Sequence, residues 1–231
     1  YQCCGLSARS LAVNASQLGG IGTTTANVLE ETAQLGGSSI LGGGFNRIIS
    51  SRSSVIAAGS GNRILGECDS FIGAGCGNLA CTTAVVGGGI CNTACGRSSV
   101  VVGGSANTSC GFQSFVGGGS DNTAFSGSVV LGGCCNTSQF DGTIVGGFCN
   151  EARGQHSTVA GGRFNLACGD RNYVGGGCCN IAKGGCGIFV GGGRRNHVCG
   201  GIGNFHISCN NKATFSILVG GQCNSLSGGN V

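Results

Sequence analysis

Cysteine is the residue through which this chain could do most chemistry: 18 of its 231 residues are Cys, and their placement follows a rule. Clusters of glycine recur along the sequence and each ends on an asparagine. Counted from that asparagine, five cysteines lie three residues after it (Cys81, Cys95, Cys110, Cys168, Cys199) and six lie immediately before it (Cys91, Cys135, Cys149, Cys179, Cys209, Cys223). In a chain that winds with a fixed period, one such column brings cysteines of adjacent coils to a Cα separation of about 4.8 Å, inside the disulfide range of roughly 4.4 to 6.8 Å. The spacing predicts rungs that join Cys81 or Cys110 with Cys95, Cys135 with Cys149, and Cys209 with Cys223. Such bridges lock coils within one chain or join one chain to the next, and their density belongs in an oxidising, extracellular setting. The competing reading is that Cys replaces Ala or Ser as a small apolar filler.

Other chemistry finds less support. The segment HVCGGIGNFHISC holds His197, Cys199, His206 and Cys209, a zinc ligand set by type, but its spacing matches no familiar finger and a coil would place the two pairs on different sides. No metal site is therefore expected. His156 or His206 beside a cysteine lacks a third group to orient it as a nucleophilic pair. The glycine clusters are followed by no Gly-Lys-Ser/Thr and recur in every repeat, so they are not phosphate loops. No catalytic residue and no cofactor is expected.

The elements that must position these columns follow from the asparagines themselves. They are Asn46, Asn62, Asn78, Asn92, Asn107, Asn122, Asn136, Asn150, Asn165, Asn180, Asn196, Asn210 and Asn224, spaced by 14 to 16 residues throughout. A period near 15 is too short for helical hairpins and fits one turn of a β-solenoid with two short strands per coil. The sequence thus predicts an all-β fold, a parallel β-solenoid of about 13 coils over residues 36–231. Composition agrees: 51 Gly serve the corners, and the absence of Pro spares the coil-to-coil hydrogen bonds. The asparagines are expected to form a stacked amide ladder.

Two columns are expected to point inward. One lies two residues after the asparagine (Ala80, Ala94, Ser109, Ala124, Ser138, Ala152, Ala167, Ala182, Val198). The other lies just before the next glycine pair (Val86, Val102, Val116, Leu131, Val145, Val159, Val174, Val190, Val219). Residues 1–35 depart from the pattern and read as a cap or docking segment. Within them, TTTANVLEETAQL at 23–35 has the composition of a short helix, with Thr25 or Asn27 as its cap. The closing SLSGGNV offers nothing to cap with, which predicts end-to-end assembly. No apolar run is long enough for a membrane span, and a chain that opens on Tyr1 without Met reads as one whose leader was removed or left out.

The phrases NTACGRSSVVVGG (92–104), NTSCGFQSFVGGG (107–119) and NEARGQHSTVAGG (150–162) resemble the head repeats of trimeric autotransporter adhesins, and are similar to repeats in phage and giant-virus fibre proteins. The resemblance covers roughly residues 36–224. It implies one coil of a parallel β-roll per repeat and three rolls packed into an adhesive trimer.

Charge is uneven. Residues 1–150 carry a net of −1 and residues 151–231 a net of +5. Arg163, Arg194 and Arg195 fall at corner positions, where they form either a solvated edge or a contact for an acidic glycan or an anionic neighbour. Sequons occur at Asn14, Asn107 and Asn136, the last two being ladder positions. The expected function is a non-enzymatic structural subunit of an extracellular or surface fibre that associates with itself, as a trimer or an end-to-end filament. An adhesin that recognises a host glycan or matrix protein is the alternative, and neither nucleic acid nor a membrane is an expected partner. An ice-binding surface would require a flat threonine array, which the repeats are not expected to form.

Overall fold

The computed structural model describes residues 27–30, 37–66, 68–199, 217–218 and 221–227. These residues form a parallel β-solenoid with a repeat near 15 residues. Alternate strands go to two sheets: a 13-stranded one that begins at Val28–Glu30 and ends at Ser225–Ser227, and a 12-stranded one from Ser39–Ile40 to Ile217–Leu218. Every pairing is parallel and joins a strand to its counterpart one coil away, as in Thr93↔Thr108 in the first sheet and Val100↔Phe115 in the second.

Most strands are only two residues long, and the coil is held by what flanks them. From each asparagine, the first residue points out and the second points in, which gives the first sheet its interior column of Ile48, Ile64, Ala80, Ala94, Ser109, Ala124, Ser138, Ala152, Ala167, Ala182 and Val198, all fully buried. The second sheet contributes Ile56, Ile72, Val86, Val101, Val116, Val130, Ile144, Val159, Val174 and Val190. Each of these lies six residues before the following asparagine. Two residues earlier stands a third buried column, mostly serine: Ser54, Ser70, Ala84, Ser99, Ser114, Ser128, Ser157, Asn172 and Ile188.

The core is one or two side chains wide, and coil length tracks what it holds. Two of the 16-residue coils enclose Ile48 with Ile56 and Ile64 with Ile72, and the third encloses Ile188 with Val190. The shorter coils pair one Val or Ile with Ala, Ser, Gly or Asn, because close packing leaves no room for a second branched side chain.

Four expectations need correction. Val102, Leu131 and Val145 are not core: they are 52%, 50% and 47% exposed, and Val101, Val130 and Ile144 take the interior place. The inward position is fixed by its distance to the asparagine, and in these coils an apolar residue stands where others carry the first glycine of a triplet. Val219 lies outside the described residues.

Val28–Glu30 is a strand, not part of a helix. Asn27 is itself a ladder residue, its Oδ1 accepting the Asn46 N–H at 3.0 Å, so the three residues after it occupy the strand position and the solenoid begins ahead of residue 36. The rest of 23–35 lies outside the described residues.

Third, the described residues form a solenoid of about 11 turns, slightly fewer than the 13 expected over 36–231. The Asn224 N–H donates to the Asn196 Oδ1 at 3.2 Å, and His197 pairs with Ser225. The described ladder therefore passes from Asn196 to Asn224; Asn210 lies outside the described residues.

Finally, the outward positions Thr93, Thr108, Thr123 and Thr137 stand in register on four consecutive coils. A short threonine array does exist, bounded by Leu79 on one side and Glu151 on the other.

Candidate functional site

The recurrent corner that ends on asparagine is where the chain presents variable chemistry on a fixed frame. Three groups make the frame. The asparagine is buried from Asn46 to Asn196, and its amide is fully used: Asn107 Nδ2 donates to the Gly103 and Gly119 carbonyls, each at 2.9 Å, while its Oδ1 accepts the Asn122 N–H at 3.0 Å. The same three bonds repeat at Asn62, Asn92, Asn136, Asn150, Asn165 and Asn180, tying each turn to itself and to its neighbour.

Three residues before the asparagine stands a glycine that admits no side chain. At Gly104 φ is +89° and an added Cβ would lie 2.2 Å from the Gly119 carbonyl oxygen. The residue immediately before the asparagine is left-handed in every coil, φ being 57° at Phe45, 56° at Asp121, 57° at Cys135 and 54° at Arg195. A left-handed residue other than Gly costs on the order of 1 to 3 kcal/mol. Its N–H donates to the preceding coil, as from Cys91 to the Cys76 carbonyl at 2.8 Å, and this offsets the cost.

The two residues before each asparagine project outward and differ from coil to coil. They hold many of the cysteines and the three arginines of interest. Cys134 and Cys135 are neighbours with sulfurs 3.2 Å apart. Asp121 occupies the position of Cys135 one coil earlier, and Cys149 occupies it one coil later. The hydrogen bond with Cys135 pushes the Cys134 thiol up to about 11, with partial burial and the negative neighbours Cys135, Asp121 and Cys149 adding to it. Burial, and then the Cys135 thiol, raises Cys149 too.

The same Cys-Cys pair recurs at Cys178 and Cys179, sulfurs 3.1 Å apart, with opposite electrostatics. Arg163 stands one coil before Cys178 and Arg194 one coil after. The S–H of Cys179, and then Arg163 and Arg194, hold Cys178 below the usual thiol value, against the opposing effect of burial. Cys179 is raised, first by its hydrogen bond with Cys178 and then by burial. The predicted arginine edge is therefore a thiol site as much as a basic one, which single-residue spacing did not reveal.

At the opposite corner Cys81 and Cys95 form a disulfide with a Cα separation of 4.6 Å. Cys110 follows in the same column but Cys95 has one bond to give; Cys110 is an exposed thiol, raised by burial, whose Sγ lies 3.8 Å from the Ala124 carbonyl. Cys135, Cys149 and Cys223 are thiols as well, and Cys209 lies outside the described residues. Cys199 Sγ lies 3.2 Å from His197 Nε2, while His206 lies outside the described residues. Asn107 and Asn136 are fully buried, so their sequons cannot carry a glycan in the folded chain; Asn14 lies outside the described residues.

One face stands apart from the corners. The outward positions of the second sheet are Val55, Phe71, Val85, Val100, Phe115, Val129, Thr143, Thr158, Tyr173 and Phe189, all half-buried or exposed. Two residues further along each strand, and hence on the same face, stand the exposed Val102, Leu131 and Val145. The Tyr173 and Phe189 rings stack at 5.2 Å. The outward column of the first sheet is more polar: Arg47, Arg63, Leu79, four threonines and Glu151, then Leu166, Ile181 and His197. Among the described residues no helix is long and apolar enough to cross a membrane.

No family model, curated protein or solved structure matches this chain.

Proposed function

We propose that the chain is a non-enzymatic structural subunit that assembles with copies of itself into an extracellular or surface fibre. The observation that carries this reading is the outward face of the second sheet. It is apolar without interruption from Val55 to Val129, is widened by the exposed Val102 and Leu131, and turns apolar again at Tyr173 and Phe189. An elongated apolar face on a rod is a site of association. A second copy is the occupant favoured by geometry, because only a sheet with the same coil spacing can keep its side chains in step with this one over many turns. The Cys81–Cys95 bridge supports an oxidising setting.

The test is sedimentation and negative-stain microscopy of the purified chain beside the variant Val100→Arg/Phe115→Arg/Val129→Arg, each with and without reductant. These three side chains point away from the core, so the coil itself is untouched. Expected are defined oligomers or filaments for the parent chain and monomers for the variant. A parent chain that sediments as a monomer at all concentrations, or a variant that assembles unchanged, refutes the reading.

A further inference from the structure

We propose that the corner formed by Asp121, Cys134 and Cys135, completed by Cys149, binds a thiophilic divalent cation of the zinc class. One carboxylate oxygen and the two sulfurs lie within 4.8 Å of one another. Ligands at about 2.3 Å from a tetrahedral zinc have sulfurs roughly 3.8 Å apart, so the observed 3.2 Å between Cys134 and Cys135 is brought to that distance by small side-chain rotations alone. Two thiols and one carboxylate oxygen are already gathered, and Cys149, next along the Cys135 column, supplies the fourth ligand by side-chain rotation; a set so rich in sulfur selects zinc over hard cations such as magnesium or calcium.

The frame holds Asp121, Cys134 and Cys135 together before any ion arrives. Cys134 is bridged to Ser120 on one side and Phe148 on the other. The Cys135 N–H donates to the Ser120 carbonyl at 3.0 Å and the Cys149 N–H to the Cys134 carbonyl at 2.9 Å. Asn136 and Asn150, the ladder residues that follow Cys135 and Cys149, are buried and fully bonded. Ser120 Oγ donates to Asp121 Oδ2 at 2.6 Å, which orients the carboxylate and leaves Oδ1 for the ion. Binding replaces the thiol protons, which pass to solvent, and no electron moves.

The molecule contains its own comparison. Cys178 and Cys179 repeat the Cys-Cys pair at the same two corner positions, but the preceding coil supplies Arg163 and Phe164 where the first corner has Ser120 and Asp121, and the following coil supplies Arg194 and Arg195 where it has Phe148 and Cys149. Guanidinium groups repel a cation. The geometry of the pair is common to both corners, and the flanking charges assign the cation to only one.

Cobalt(II) serves as the probe, added to the full chain kept reduced and free of oxygen, then displaced by zinc. A single equivalent giving a thiolate-to-cobalt absorption is expected. The band is lost in Cys134→Ser/Cys135→Ser, kept in Cys178→Ser/Cys179→Ser, and weakened on the order of tenfold or more in affinity by Asp121→Asn. Serine already stands in the Cys134 column at Ser60, Ser105 and Ser120, and the Cys135 column accepts residues as different as Ala106, Asp121 and Phe164, so the first variant is expected to keep the fold, which circular dichroism verifies. In the parent chain, one equivalent of zinc protects Cys134 and Cys135 from alkylation, as read by peptide mass spectrometry. Absence of the band, its survival in the first variant, its loss in the second, or alkylation undiminished by zinc overturns the proposal.

Discussion

Replacing Asn122 with Ala removes one rung from the middle of the ladder. Asn122 Oδ1 accepts the Asn136 N–H at 3.0 Å, and its Nδ2 donates to the Gly118 and Gly133 carbonyls, each at 2.9 Å. Gly133 keeps a donor in the Ser120 N–H at 2.9 Å, and Asn107 Oδ1 keeps the Asn122 backbone N–H. The Asn136 N–H and the Gly118 carbonyl lose the bonds that Asn122 supplies. The Asn136 N–H is buried and a buried polar group left without its partner costs about 1 to 3 kcal/mol; the Gly118 carbonyl is only part-buried and turns to water, so the substitution costs about 1 to 3 kcal/mol. Because each coil contacts only its neighbours, that loss is felt first as local opening. Native-state hydrogen exchange reads it: the Asn136 amide and the amides of the coils on either side lose protection, while those near Asn46 keep theirs. The control is Thr123→Ala, the adjacent outward residue, expected to change stability by no more than about 0.5 kcal/mol. If Asn122→Ala falls within that same margin, the amide ladder does not hold the corner and the argument for a rigid frame fails.

Three further expectations test other parts of the coil. Gly104→Ala, at φ +89° and facing the Gly119 carbonyl, is expected to unfold its coil or lower the melting temperature sharply, whereas Gly103→Ala, whose added Cβ meets nothing within 4 Å, leaves it nearly unchanged; equal melting curves would refute the assignment of the corner. In metal-free chain at neutral pH, Cys178 is expected to alkylate faster than Cys134, since the lowered pKa leaves more thiolate at Cys178 and the raised one leaves less at Cys134; the reverse order by mass spectrometry contradicts the opposed electrostatics of the two corners. Replacing Cys81 and Cys95 by Ser removes a bridge of sequence separation 14 and is expected to cost about 3 kcal/mol, read as a fall in unfolding midpoint that matches the effect of reductant on the parent chain.

The period was legible in the sequence because every turn states it again: a glycine that must be left-handed and an asparagine that must be buried recur together, and neither tolerates a substitute. Where only one of the pair is present, the sequence misleads. Asn27 follows TTTA, with no glycine three residues before it, so the strand that begins at Val28 carries the composition of a helix. The spacing after Asn196 points to Asn210, which lies outside the described residues, and the described rung from Asn196 is the one to Asn224. Val102 stands beside a glycine pair just as Val116 does, yet only the distance to the following asparagine decides which faces the core. The left-handed Phe45, Phe164 and Arg195 have no local signature at all, since no intrinsic preference puts them there; the coil behind them does.

The same separation explains why the candidate site was the least legible part. The glycine and the asparagine are fixed by the backbone, while the two residues between them face solvent and are free of that constraint, being Ser120 and Asp121 in one coil and Cys134 and Cys135 in the next. Their chemistry is set along the chain and across coils together: Cys134 is shifted first by its neighbour Cys135 and further by Asp121 of the preceding coil, and Cys178 first by Cys179 and further by Arg163 and Arg194 on either side. A column of cysteines read one residue at a time predicts the same disulfide at every rung. Once the register supplies the neighbours, two identical Cys-Cys corners become different groups, one beside the Asp121 carboxylate and suited to a cation, the other flanked by guanidiniums that favour the thiolate form of Cys178. The rod thus carries a pair of variable side chains at intervals of about 4.8 Å along one edge, and function on such a surface is specified by which pairs stand next to each other.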